Sequence, residues 1–351
     1  MTESPVKELQ RFGQSPWLDF LGRDLLRSGE LAALQEKWGL RGVTSNPAIF
    51  ERAIDRGDDY GEAIERLARE GRSAPEIYER LVLEDVGAAA DLFRPLYEET
   101  GGEDGFVSLE VSPRLADDVE GTCVEARRLW AALARPNVMI KVPATDAGLQ
   151  AIRRLLADGL NVNVTLLFSL GRYREVAEAY LAGLEAAAAS GRNLSTIASV
   201  ASFFLSRIDT IVDDALEALV ERKGQAGAVA AGLRGEVAIA SARCAYGIFE
   251  EITGSDRFRR LAAAGARPQR LLWASTGTKN PKYSDIKYVE PLVGPRTVNT
   301  MPLATLAAYH EQGRPADRLR QDPEGAARVL AAVTEVSLDL DALTRRLLEG
   351  A

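Results

Sequence analysis

Cysteine and histidine are nearly absent from this chain: its 351 residues include two cysteines, Cys123 and Cys244, and one histidine, His310. So small a stock excludes a zinc cluster, a Cys/His nucleophile pair and a Ser-His-Asp triad, and no metal site is expected. A dense Lys/Arg block is lacking too, and 51 acidic against 43 basic side chains leave a net charge of -8. Without a basic patch, no nucleic-acid partner is expected. No apolar run reaches the roughly 18 residues of a membrane span. Met1 to Gln10 is polar and mixed in charge rather than basic and then apolar. These absences predict a cytoplasmic chain with no membrane partner.

What is present is a folded composition, 46% hydrophobic and 27% charged, close to the soluble globular average. Short β-branched runs alternate with long helical periods, the pattern of repeated βα units around a parallel sheet. Eight strands are expected, near Trp17–Phe20, Gly42–Ser45, Phe106–Val111, Val138–Val142, Val162–Leu167, Ile197–Ala201, Leu271–Ser275 and Val298–Met301. Eight parallel strands close a barrel, so the expected fold class is α/β, a single (β/α)8 TIM barrel. Such a barrel needs roughly 250 residues and leaves about 100 for additions. Two or three helices are expected between Pro47 and Gly105, including Ala74–Tyr97, and at least two between Ser206 and Gln269, broken near Gly224–Gly227. One long C-terminal helix is expected over Pro323–Glu349. No composition shift marks a linker and no repeat is visible, which predicts one domain over 1–351.

Alternation along each strand separates the face toward the helices from the face toward the barrel interior. In Val138-Met139-Ile140-Lys141-Val142-Pro143 the aliphatic face takes Val138, Ile140 and Val142, so Lys141 points inward near the strand's C-terminal end. Barrels of this kind carry their active sites at that end. Ser108 and Glu110 face inward from the third strand, Asn163 and Thr165 from the fifth, and Thr44 and Asn46 from the end of the second. Asp19 closes the first strand, and the sixth leads into Ser202, Phe204 and Arg207. Barrel interiors are usually filled by branched apolar side chains, and each unpaired buried polar group costs about 1–3 kcal/mol. So many polar groups at one end ask for a polar ligand.

An ordinary lysine at pH 7 is a neutral amine in only roughly one molecule in 2500, so a nucleophilic lysine needs a site that favours the neutral form. Burial favours that form and carboxylate neighbours oppose it. Two readings of Lys141 stand: a buried ion pair with Glu110 that has no chemistry, or an imine-forming lysine served by Asp19 and Glu110 as proton carriers. The surrounding Asn, Thr and Ser favour the second. Arg207, in the first turn after a strand, is placed to reach a phosphate. Ser275-Thr276-Gly277-Thr278-Lys279-Asn280 reads either as a second phosphate loop or as a turn. Neither a P-loop nor a dinucleotide fingerprint is present.

These residues, in this order, resemble the transaldolases, class I aldolases of the pentose phosphate pathway. The likeness is carried by Trp17-Leu18-Asp19, Gly42-Val43-Thr44-Ser45-Asn46-Pro47, Ser108-Leu109-Glu110-Val111, Ile140-Lys141-Val142-Pro143-Ala144-Thr145, Asn163-Val164-Thr165-Leu166-Leu167-Phe168-Ser169 and Ser202 through Asp209. It therefore spans nearly the whole chain. The resemblance implies a (β/α)8 barrel, no cofactor and sugar-phosphate substrates. A dihydroxyacetone unit would pass from sedoheptulose 7-phosphate or fructose 6-phosphate to glyceraldehyde 3-phosphate or erythrose 4-phosphate. Lys141 would form the Schiff base, and Asp19 would take the proton of the hydroxyl beside the breaking carbon-carbon bond. Glu110, with Thr165, would position the water of carbinolamine dehydration and hydrolysis. Asn46 and Asn163 would bind the dihydroxyacetone hydroxyls, supported by Thr44 and Ser202, while Phe204 lines the pocket and Arg207 holds the phosphate.

Many members of that family have Ser-Pro-Phe where this chain has Ser202-Phe203-Phe204, and an arginine after the seventh-strand serine where this chain has Ser275-Thr276-Gly277. Lys279 is expected to stand in for that arginine. Two alternatives to the transferase are a fructose 6-phosphate aldolase, which releases dihydroxyacetone to water, and a barrel that binds sugar phosphate without catalysis. The extra helices and the length resemble the transferase branch more. A monomer or a homodimer is expected.

Overall fold

The computed structural model describes residues 3–350 apart from residues 57 and 223 and the side chains of residues 56 and 58, so the ends of the expected 1–351 span lie outside the described residues. Strands β1 (Gln14–Asp19), β2 (Gly42–Thr44), β3 (Phe106–Glu110), β4 (Val138–Pro143), β5 (Val162–Leu167), β6 (Ser199–Phe204), β7 (Arg270–Ala274) and β8 (Thr297–Met301) close in sequence order into a parallel barrel. β1 completes the ring, with Leu18 in register with Val43 of β2 on one side and Met301 of β8 on the other. The expected (β/α)8 class is borne out.

The alternation read from the sequence explains the two layers. Val107, Leu109, Val138, Ile140, Val142, Val162 and Val164 point outward and are sealed beneath the helices, where burial contributes about 25 cal/mol per Å². The opposite faces supply a separate interior plug of Trp17, Phe106, Met139, Val200, Leu272 and Val298. Trp17 also accounts for Gly42. A Cβ at Gly42 would stand 2.6 Å from the indole ring, so the strand must begin with a residue that has no side chain.

At the N-terminal end of the barrel, the Asp104 carboxylate accepts from Arg41 at 2.6 Å, Ser15 at 2.9 Å and Arg270 at 3.1 Å. At the other end, three helices lie between β2 and β3: Pro47–Arg56, Gly61–Arg69 and Ala74–Glu99. The last begins at a Ser73/Glu76 capping box. They are pinned to the segment after β1, because Arg23 Nε donates to Asp85 at 2.8 Å and the Tyr60 hydroxyl donates to the same carboxylate at 2.7 Å.

Some boundaries differ from the sequence expectation. β1 begins at Gln14 rather than Trp17. β6 runs over Ser199–Phe204 instead of Ile197–Ala201, because a 3-10 turn occupies Leu194–Thr196 and the Ala198 N–H is taken by Asn161 Oδ1 at 2.8 Å. Ser202 and Phe204 consequently lie on the strand itself. The single long C-terminal helix is a pair of helices, Pro323–Glu335 and Leu340–Glu349. Ser337 breaks the run with a left-handed φ of 61°, and Asp339 caps the second helix by accepting the Ala342 N–H at 2.9 Å. Near the break expected at Gly224–Gly227, one helix ends at Glu221 and helix Gly224–Leu233 begins at Gly224.

Candidate active site

Parallel pairing puts Lys141 of β4 in register with Glu110 of β3 and Asn163 of β5. Lys141 is buried. Its Nζ lies 3.0 Å from Glu110 Oε2 and donates to the Ser45 carbonyl oxygen at 3.1 Å. Asp19, at the end of β1, accepts from Thr44 Oγ1 at 2.7 Å, and that hydroxyl also meets Thr300 Oγ1 at 2.7 Å. Burial pushes the Asp19 carboxyl above the usual carboxylate range, against the pull of the Lys141 charge and the Thr44 hydrogen bond. A carboxylate made more basic in this way is a better proton acceptor.

Asn163 is fixed from both sides: its Nδ2 donates to Ser108 Oγ at 3.1 Å and its Oδ1 accepts from Ser202 Oγ at 2.7 Å. These bonds use one of its two amide hydrogens. Just beyond, β5 shifts register between Val164 and Leu167, and Leu166 takes a φ of 63°. Bulges of this kind re-aim side chains at barrel rims. A cavity of 560 Å³ opens here, with Asp19, Lys141, Thr165, Ser202, Phe204 and Arg207 in its wall. Arg207 lies over the Phe204 ring, 5.5 Å from its centroid, and the N-terminus of helix Ser206–Glu221 follows directly.

The Transaldolase/Fructose-6-phosphate aldolase family model matches residues 16–351. The chain belongs to this family. A protein named Transaldolase from Saccharopolyspora erythraea is 50% identical over 342 residues, covering 97% of this chain and 90% of that protein. One of the same name from Thiobacillus denitrificans is 48% identical over 342 residues, covering 97% and 94%. Another from Trichodesmium erythraeum is 45% identical over 354 residues, covering 99% and 93%. The chain is thus an enzyme of the transferase kind.

Most residues singled out from the sequence meet in the transaldolase-type cavity. Thr44, Asn46 and Ser275 join the six just named in its wall. Asn163 stands behind Ser202. Glu110 is not in that wall but lines a second cavity of 600 Å³ with Tyr78, Val82 and Leu109, and Asn46 borders both cavities. Lys279 is not in the main cavity. It lines a smaller adjoining pocket with Asp209 and Tyr288, where burial and the Arg207 charge lower its basicity.

Three contributors escaped the sequence reading. Ser45 supplies only a backbone carbonyl, which no side-chain pattern reveals. Thr300 lies on the interior face with Val298, and alternation along β8 would have found it. Arg52 reaches the cavity from helix Pro47–Arg56 together with Ile49 and Ala53, a spacing of three and four that marks one helix face. Asn46 starts that helix, accepting the Ile49 N–H at 2.9 Å on Oδ1, so the helix start and the cavity-lining position coincide. Among the described residues, no group of His, Cys, Asp and Glu is arranged to hold a metal ion, and no helix is long and apolar enough to cross a membrane.

Proposed function

We propose that this enzyme moves a dihydroxyacetone unit from sedoheptulose 7-phosphate or fructose 6-phosphate to glyceraldehyde 3-phosphate or erythrose 4-phosphate, with Lys141 as the Schiff-base residue. The observation that carries the assignment is a buried lysine 3.0 Å from a carboxylate, in a cavity it shares with a second carboxylate made unusually basic by burial. Glu110 accepts a proton from Lys141, and the freed amine attacks the ketose carbonyl. The carbinolamine loses water to give the protonated imine. Asp19 then takes the proton of the neighbouring hydroxyl, the carbon-carbon bond breaks, and its electron pair moves into the imine to form an enamine. The aldose phosphate leaves, the enamine adds to the acceptor aldehyde, and Asp19 returns its proton to the new alkoxide. Glu110, with Thr165, positions the water that hydrolyses the product imine.

Asn46 and Asn163 bind the dihydroxyacetone hydroxyls, with Thr44 and Ser202 in support, and Phe204 and Ser275 wall the pocket. Arg207 binds the substrate phosphate at the start of its helix, where backbone N–H groups favour anions, and Lys279 approaches the same phosphate from the loop after β7. The reading takes the chain as one domain acting in the cytoplasm as a monomer or homodimer. The two unpaired cysteines support a reducing compartment.

The test is to supply fructose 6-phosphate with erythrose 4-phosphate and follow the products. Sedoheptulose 7-phosphate and glyceraldehyde 3-phosphate should dominate. Free dihydroxyacetone as the main product would make the chain a fructose 6-phosphate aldolase instead.

A further inference from the structure

Helix Ser206–Glu221 carries Arg207 at its second residue and Asp209 and Asp213 one turn apart. Both carboxylates reach across to the segment that joins β7 to β8. Tyr288 donates to Asp209 Oδ2 at 2.8 Å, and Tyr283 donates to Asp213 Oδ2 at 2.7 Å. The other carboxylate oxygens accept the Ala238 and Gly235 N–H groups, each at 2.8 Å. Each aspartate therefore ties three stretches of chain together. Gly235 shows how closely the segment is seated: it has a φ of 72°, and a Cβ there would stand 2.7 Å from the Tyr283 ring. Lys287 adds a cation over the same ring, 4.6 Å from its centroid.

The segment's other end is clasped as well. Ser275 has a left-handed φ of 53°, a conformation that persists in an L residue only when its surroundings enforce it. Ser206 enforces it here, its N–H donating to the Ser275 carbonyl at 3.1 Å and its hydroxyl meeting the Ser275 hydroxyl at 2.8 Å. Between the two clasps lies Lys279, in a pocket it shares with Ser206, the residue before Arg207 at the start of the helix. Burial and the Arg207 charge lower the basicity of Lys279, and of the carboxylates lining its pocket Asp209 and Asp213 are taken up by Tyr288, Tyr283 and backbone N–H groups. Two cations held together in this way are separated by repulsion unless an anion joins them or the backbone is fixed.

We propose that Tyr288 and Tyr283, through Asp209 and Asp213, are positioning residues that hold Lys279 beside Arg207, and so set the enzyme's preference for phosphorylated over unphosphorylated sugars. The proposal rests on the reading of Arg207 and Lys279 as phosphate ligands. The phenols touch no substrate. They fix where the second cation stands, so losing one lets the segment relax outward and weakens the hold on phosphate without disturbing Lys141.

The experiment compares fructose 6-phosphate with unphosphorylated fructose as donors for wild type, Tyr288→Phe and Tyr283→Phe, and measures inhibition by inorganic phosphate. In Tyr288→Phe the ratio of kcat/KM between the two donors should fall about tenfold, through KM, with kcat for either donor within about twofold of wild type. The inhibition constant for inorganic phosphate should rise by a similar factor. Tyr283→Phe, at a half-buried phenol, should show the same pattern more weakly, and it serves as the deciding variant if Tyr288→Phe does not fold. An unchanged donor ratio, or an equal loss with both donors, would overturn the positioning role. A wild type without preference for the phosphorylated donor would instead overturn the underlying phosphate assignment.

Discussion

At the N-terminal end of the barrel, Asp104 is enclosed by Arg41, Arg270 and Ser15. At the C-terminal end, Asp19 has the Thr44 hydroxyl as its side-chain donor and faces a 560 Å³ cavity. Both carboxylates belong to the same barrel, and both sit among strand ends. At the first, guanidinium donors answer the charge directly and the group serves the fold. At the second, burial outweighs its compensation and raises the carboxyl's affinity for a proton. A cavity of 680 Å³ also borders Asp104, so it is the under-compensated carboxyl beside Lys141, rather than the presence of a cavity, that sets the C-terminal end apart as expected of a working site in this architecture.

Removing the proposed Schiff-base lysine should break the contrast most severely. Lys141→Ala should lower the transfer rate by at least about 10⁴-fold, and Lys141→Arg, which keeps a cation but cannot form an imine, should be as inactive. A coupled assay of aldose release checks both. Asp19→Asn should reduce kcat by about 10²–10⁴-fold and at the same time raise the melting temperature at pH 7. The sign follows from linkage. Because the folded-state value is raised above 3.8, the stability contributed by protonated Asp19 is fully present below that value and is lost as pH rises through the raised one. The amide loses nothing, so the gap in melting temperature between variant and wild type should open from pH 4 to pH 7.

Asp104→Asn tests the other end. It leaves two arginines without their carboxylate and should cost about 3–5 kcal/mol of stability, read by urea unfolding, while kcat stays within about twofold of wild type. A loss of kcat with unchanged stability would erase the distinction between the two ends. The smallest effect is expected far from either: Ser337→Gly should stabilise by about 0.5–1 kcal/mol, because glycine accepts the left-handed conformation that breaks the C-terminal helical run.

The barrel and the chemical core of the site were legible because both are written in strand alternation. Lys141, Glu110, Asn163 and Thr165 each follow from the aliphatic face opposite them. What alternation does not encode was misplaced or missed. The shift of β6 depends on Asn161 taking the Ala198 N–H from another strand, a tertiary contact with no local signal. The break at Ser337 uses a non-glycine residue in a left-handed conformation, so the usual glycine marker is absent. Lys279 was expected to take the place of an arginine at the phosphate. The place of its side chain, in the pocket beside the start of helix Ser206–Glu221, depends on Tyr283 and Tyr288 bonding to that helix, a tertiary contact that local sequence does not spell out. Arg52 was visible in principle, through its helical spacing from Ile49.

The most direct measurement is peptide mass spectrometry after incubating the enzyme with fructose 6-phosphate and borohydride, which reduces an imine to a stable amine. A dihydroxyacetone-sized addition confined to the peptide bearing Lys141 is the predicted result. A folded sample with no addition, or with the addition on another lysine, would contradict the account.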